Sequence, residues 1–206
     1  MVVSAVAANS LATKEGKVML SQFQTVGCDL FTRGLVSSRG GNMSIRLGDR
    51  IIITRRGSMP NCLQESDLIE TGVSRNSRAT PLASIELPVH RAIYLATQAL
   101  AIVHAHPPHA IALSMTDTEI VPSSADSLAE LGKIPVVGWN MEVKPGGLAD
   151  IIAQALKQQR IIMVRSHGSF AIGQLLEEAY NVTTVLEENC RILCLLKSLQ
   201  VGPAQQ

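Results

Sequence analysis

Ala99-Leu100-Ala101-Ile102-Val103-His104-Ala105-His106-Pro107-Pro108 is the stretch on which the fold turns. Ala99 to Val103 is an apolar run that reads as a buried strand, stopped by two prolines. Residues i and i+2 of a strand share a face, so His104 and His106 aim at one point. A second apolar run, Ile161 to Val164, leads into Arg165-Ser166-His167-Gly168 and sets a third histidine just past a strand. Three imidazoles delivered by two strand ends are what a tetrahedral catalytic zinc with one open position needs. Ordinary polar caps on strand ends are the alternative reading, because His-x-His is a short pattern.

Outward from these runs the pattern alternates between helix and strand. Leu11 to Arg33 is predicted helical and ends at Gly34. Met43 to Arg46 and Arg50 to Thr54 form a hairpin through Gly48-Asp49. Glu65 to Leu68 is a short helical turn before a strand over Ile69 to Val73, and Ser74 to Thr80 is irregular. Glu86 to Thr97 is a helix with Pro88 in its first turn. Short helices follow over His109 to Met115 and Asp126 to Leu131. A strand over Ile134 to Val137, a turn at Lys144 to Gly147, a helix over Leu148 to Gln158 and a strand over Ser169 to Ile172 come next. Leu175 to Leu199 is a long amphipathic helix with Leu175, Ala179, Val182, Leu186, Cys190, Leu193 and Lys197 along one face. Its glutamates Glu177, Glu178, Glu187 and Glu188 are expected to be mostly solvated. The mix predicts a central sheet covered by helices on both sides.

Composition narrows the function. The 206 residues fit one domain, 1–206, and 46% hydrophobic content supports a sizeable core. A net charge of +1 gives no broad field for nucleic acid or an anionic membrane. One Trp, two Tyr and three Phe are too few for base-stacking platforms. Apolar runs stop well short of the about 18 residues of a membrane span. Met1 to Ala8 is apolar but lacks a basic start, and reads as a frayed or docking tail. The four cysteines, Cys28, Cys62, Cys190 and Cys194, form no Cys-x-x-Cys pair and suit a reducing cytoplasm.

A catalytic metal needs a base and an anchor for the substrate. Glu86 opens the helix that feeds the histidine strand, so it is the candidate acid/base; helix capping is its plainer role. Gly40-Gly41-Asn42, Arg56-Gly57 and Ser84 are the candidate anchor. Glycine backbone approaches an anion closely, Asn42 and Ser84 add neutral donors, and Arg56 adds a charged fork. No Walker-type phosphate loop is present. His90, four residues after Glu86 on the same helix face, is expected to make a structural hydrogen bond, and His109 to lie at the surface.

In chain order, Gly41-Asn42-Met43-Ser44, Ile53-Thr54-Arg55-Arg56-Gly57, Ser84-Ile85-Glu86 with Pro88 and His90, Val103-His104-Ala105-His106 and Arg165-Ser166-His167-Gly168 resemble the class II aldolase/adducin family. The resemblance runs from about Leu11 to Leu196 and rests on five motifs in family order. It implies a three-layer α/β/α fold with a mostly antiparallel sheet. It implies zinc, or another divalent metal, on His104, His106 and His167, one per subunit. It also implies Glu86 as acid/base, a phosphate cradle at Gly41, Asn42, Arg56, Gly57 and Ser84, and a homotetramer with active sites between subunits. The reaction implied is aldol cleavage of a small phosphorylated ketose through a zinc-stabilised enediolate. Epimerases and dehydratases of sugar phosphates share the same kit. A metal-free adducin-like binding module is the reading that the intact histidines and Glu86 argue against.

Three departures stand out. Family aldolases carry Thr-Pro-Ser/Thr-Gly and Ser-Ser-Glu/Asp where this chain has Thr54-Arg55-Arg56-Gly57 and Ser84-Ile85-Glu86. The tyrosine that donates a proton in the best-known aldolases has no counterpart in Val121 to Leu128, where the nearest matching position is around Asp126.

Overall fold

The computed structural model describes residues 13–138 and 147–200. The tail at Met1 to Ala8 and most of the turn expected at Lys144 to Gly147 lie outside the described residues. Eight strands form one sheet: β1 (Asn42–Leu47), β2 (Arg50–Thr54), β3 (Leu68–Gly72), β4 (Ala101–Ala105), β5 (Glu119–Ile120), β6 (Ile134–Val137), β7 (Ile161–Val164) and β8 (Gly168–Gly173). The α-helices are α1 (Lys14–Thr32), α2 (Leu87–Ala96), α3 (Pro108–Ser114), α4 (Ala125–Leu131), α5 (Gly147–Ala155) and α6 (Leu176–Gln200).

The strand order is β3-β2-β1-β4-β8-β7-β6-β5. Every neighbouring pair is antiparallel except β6 with β7. The period-two alternation of a strand then feeds two cores. Ile52, Ala101, Val103, Ile161, Met163 and Ala171 face α1, α3, α4 and α6. Ile51, Ile53, Ile102, Ile162, Val164 and Phe170 face α2 and α5. Both sheet faces are apolar because both are covered, which is why these strands read as runs of Ile and Val rather than as alternating patterns. The architecture is the three-layer α/β/α arrangement with a mostly antiparallel sheet.

Local chemistry explains the element ends. Thr13 caps α1, its hydroxyl accepting from the Gly16 N–H at 3.0 Å. Gly34 ends that segment at φ +70°, and Gly48 makes the β1–β2 turn at φ +62°. β5 and the 3-10 turns at Pro60–Cys62 and Thr80–Leu82 were not expected. All are too short to show a period.

Three expectations need correction. The histidine strand is Ala101–Ala105, not Ala99 to Val103. His104 therefore sits inside the sheet, paired with Asn42 and Phe170, and is 1% exposed. The strand runs on through it because the imidazole stacks on Phe170 and its Nδ1 meets the Ser169 carbonyl. Glu187, expected in solvent, is folded in against the start of α3. The buried face of α6 starts at Leu176, while Leu175 is exposed and Lys197 pairs with Asp117 at the surface.

Candidate active site

The parity that sends Ile102 towards α2 sends His104 and His106 the same way, at the end of β4 where the chain leaves the sheet. The third ring arrives from the β7–β8 turn. Ser166 there has φ +54°, the one positive-φ residue other than glycine among the described residues. Such a conformation costs about 1–2 kcal/mol and persists only where its surroundings hold it. The Ser114 hydroxyl accepts from the Ser166 N–H at 3.0 Å, and the Val164 carbonyl from the His167 N–H at 3.1 Å. Together they turn His167 over His104, with ring centroids 5.0 Å apart. Gly168 makes room: a Cβ there would lie 2.8 Å from the His106 ring and 3.1 Å from that of His104.

One nitrogen from each of His104, His106 and His167 lies within 4.8 Å of the others. Tetrahedral zinc with bonds of 2.0–2.1 Å separates its nitrogen ligands by about 3.3 Å. The His104 and His106 Nε2 atoms are 3.0 Å apart. His104 Nδ1 donates to the Ser169 carbonyl at 2.9 Å, which leaves its Nε2 with a lone pair. That lone pair faces Glu86 Oε2 at 3.1 Å. Two acceptors meeting at this distance fit a cation between them. Burial pushes His104 down to about 3 against the pull of Glu86. It also lowers His106, helped by neighbouring His167. Neutral imidazoles are the form that binds metal. The residues present fit a divalent ion.

Glu86 stands at the start of α2 and makes no capping bond with its side chain. Its Oε1 accepts from His167 Nε2 at 3.0 Å and its Oε2 from Asn42 Nδ2 at 2.9 Å. Burial pushes the carboxyl up, but the His167 bond, the His104 ring and the Asn42 bond outweigh it and hold Glu86 at about 2. The same hydrogen bond raises His167. Glu86 is thus ionised and aimed at the histidine cluster.

Behind Glu86 lies a polar chain in the core. Asn42 Oδ1 is 2.6 Å from His90 Nε2, His90 Nδ1 is 2.6 Å from Ser44 Oγ, and Ser44 Oγ is 2.7 Å from the Tyr94 hydroxyl. His90, Ser44 and Tyr94 are all buried. Burial lowers His90 to about 4 despite Glu86, so the ring is neutral.

The cluster floors a cleft of about 230 Å³ whose walls include Gly41, Asn42, Arg56, Gly57 and Ser84. The structure therefore brings all nine expected residues to one place. Gly41 (φ +72°) and Gly57 (φ +72°) both use the left-handed backbone that glycine favours. The Ser84 hydroxyl accepts from the Glu86 N–H at 3.2 Å, and Ile85 stands 69% exposed between them. Arg39 also lines this cleft. Sequence reading passed over it, although an arginine directly before Gly40-Gly41 was the available signal. Arg55 sits 4.0 Å from Asp67, while Arg39 and Arg56 make no side-chain hydrogen bond or ion pair among the described residues. His109 is not part of the cleft; its Nδ1 is 2.7 Å from Glu187 Oε1.

The family model of the class II aldolase and adducin N-terminal domain matches residues 21–194. The L-fuculose phosphate aldolase of Methanocaldococcus jannaschii is 30% identical over 176 residues, covering 84% of this chain and 94% of that protein. A 3-oxo-tetronate 4-phosphate decarboxylase of Haemophilus influenzae is 27% identical over 200 residues, covering 93% of this chain and 91% of that protein. Among solved structures, the l-fuculose-1-phosphate aldolase of Thermus thermophilus superimposes with a TM-score of 0.83 at 35% identity, covering 91% of this chain and 98% of that one. This chain belongs to the class II aldolase/adducin family.

Proposed function

We propose that this class II aldolase-family chain is a zinc-dependent lyase that cleaves a small phosphorylated ketose. The observation that carries the reading is an ionised Glu86 bonded to His167 beside three clustered imidazoles, at the floor of a cleft walled by arginines. His104, His106 and His167 would hold the metal. Bound there, zinc would supply Lewis acidity to a substrate carbonyl and its neighbouring hydroxyl.

The chain's own groups do the rest. Gly41, Asn42, Arg56, Gly57 and Ser84 form the proposed anion-binding set. Arg39 and Arg56 bring guanidinium forks that suit a phosphate. In cleavage, ionised Glu86 takes the proton of the hydroxyl β to the carbonyl as the C–C bond breaks, and returns it to the carbon next to the carbonyl. Both tyrosines lie elsewhere: Tyr94 is buried against Ser44, and Tyr180 bonds Asp29. With no tyrosine in Val121 to Leu128, a second reading gains weight: an epimerase or dehydratase of a sugar phosphate in which Glu86 alone moves the proton.

A single domain over 1–206, a cytoplasmic location and a homotetramer with interfacial sites complete the proposal. Among the described residues, no helix is long and apolar enough to cross a membrane. Exposed Ile192, Leu195, Leu196 and Leu199, at helical spacing on α6, offer a face for another copy. The test is a panel of ketose phosphates incubated with zinc-loaded protein. Release of a two- or three-carbon fragment supports cleavage. Proton exchange or water loss without fragments supports the second reading. Neither activity on any member overturns both.

A further inference from the structure

The rim of the cleft is a row of strand ends. The order β2-β1-β4-β8 sets the end of β2, the start of β1, the end of β4 and the start of β8 side by side. Neighbours in such a row are about 4.8 Å apart. β2 leads into Arg55, Arg56 and Gly57, and backbone bonds tie that segment to Ser84. The Leu82 carbonyl accepts from the Arg56 N–H at 2.9 Å, and the Thr54 carbonyl from the Ser84 N–H at 3.1 Å. β1 opens at Asn42, directly after Arg39, Gly40 and Gly41. A Cβ on Gly40 would lie 2.9 Å from His106 Nδ1, so this loop passes against the histidine cluster. By chain, Arg56 therefore belongs to the Ser84 side of the rim and Arg39 to the side that touches His106.

The charges along the rim do not balance. Arg39, Arg55 and Arg56 line the cleft, and among the described residues Glu86 is the one carboxylate that lines it with them. Glu86 is already bonded to His167 and Asn42. Arg55 has Asp67 at 4.0 Å. Arg39 and Arg56 are exposed and make no side-chain hydrogen bond or ion pair among the described residues, so both forks are open to a ligand. One phosphate is met by the proposed anion-binding set of Gly41, Asn42, Arg56, Gly57 and Ser84. Arg39 stands outside that set, one residue from the glycine that touches His106.

Resting on the sugar-phosphate reading, we propose that the substrate carries two anionic groups: a phosphate on the Arg56 side, and a second carboxylate or phosphate that Arg39 receives beside the histidines. Arg39 is then a specificity-determining residue. A guanidinium fork matches a carboxylate and a phosphate alike. The substrate class narrows to phosphorylated sugar acids or sugar bisphosphates. A sugar phosphate with a neutral far end would leave the Arg39 fork without a partner.

The test is calorimetry on full-length, zinc-loaded protein at low ionic strength with three probes. Glycerol phosphate carries one anionic group, phosphoglycerate a phosphate and a carboxylate at opposite ends, and propanediol bisphosphate a phosphate at each end. Wild type should bind a two-anion probe about tenfold more tightly than glycerol phosphate, the scale of one added charge-assisted fork. A preference for phosphoglycerate makes the second group a carboxylate, and a preference for the bisphosphate makes it a phosphate. Arg39→Ala should abolish the preference and leave the affinity for glycerol phosphate within about threefold, as for a screened charge without direct contact. Arg39→Lys keeps the charge without the fork and should recover part of the preference. Arg56→Ala should weaken all three probes. A second anion held by the metal would keep its advantage in Arg39→Ala, and that result overturns the proposal. So does an Arg39→Ala variant that loses glycerol phosphate as fully as Arg56→Ala does, since both forks would then hold one phosphate. Equal affinities of wild type for the three probes overturn the second anion and leave the sugar-phosphate reading standing. Wild type that binds none of them overturns both.

Discussion

Among the described residues, two carboxylates at helix starts or against them pair with histidines at similar distances and do different work. Glu86 lies 3.0 Å from His167, and Glu187 lies 2.7 Å from His109. Their side chains are similarly covered, 17% and 13% exposed. Glu187 is saturated: beyond the His109 ring, its oxygens accept from the His109 and Ala110 N–H groups at 3.1–3.2 Å. These are unsatisfied donors at the start of α3, where a negative charge is favourable. Glu86 makes no such cap, although it also stands at a helix start. It faces two imidazoles and a cleft instead. What separates a site from a staple is therefore the coordinating capacity left over, not the residue types.

Substitutions can break this comparison from either side. Glu86→Gln is expected to have the largest effect. It should lower proton exchange at the carbon beside the carbonyl by about 10²–10⁴-fold while metal content stays intact. Undiminished deuterium incorporation would remove Glu86 from its role. Glu187→Ala should act on stability instead, costing about 1–3 kcal/mol as buried N–H groups lose their acceptor. Denaturant unfolding should show the lower midpoint, with metal content unchanged. Metal lost from folded Glu187→Ala protein would show that the two pairs are coupled. Lys197→Ala, which removes the surface pair to Asp117, should change stability by less than about 1 kcal/mol. Its side chains are 53% and 33% exposed, so solvent already screens the pair.

The same contrast marks how far the sequence could be read. The layers were legible because Ile51-Ile52-Ile53 and Ile161-Ile162-Met163 carry apolar side chains on both faces. The histidine cluster was legible because a parity argument places His104 and His106 together. Other features escaped. The strand's continuation to Ala105 depends on pairing of His104 with Phe170, a residue from a distant element. The role of Glu187 depends on the start of α3 lying under α6, which an amphipathic pattern cannot show. The strained turn at Ser166 carries no glycine, asparagine or aspartate to announce it.

The central claim is that the Glu86 end of this contrast is a metal site, and metal content tests it most directly. His106→Ala is the suitable variant, because His106 lies just past β4 whereas His104 is embedded in it. Elemental analysis of wild-type protein loaded with zinc and then desalted should find about one ion per chain, as a set of three imidazole donors with one position left open holds. Folded His106→Ala protein should retain almost none. Wild-type protein that holds no divalent metal after loading, or a variant that holds as much as wild type, would contradict the account.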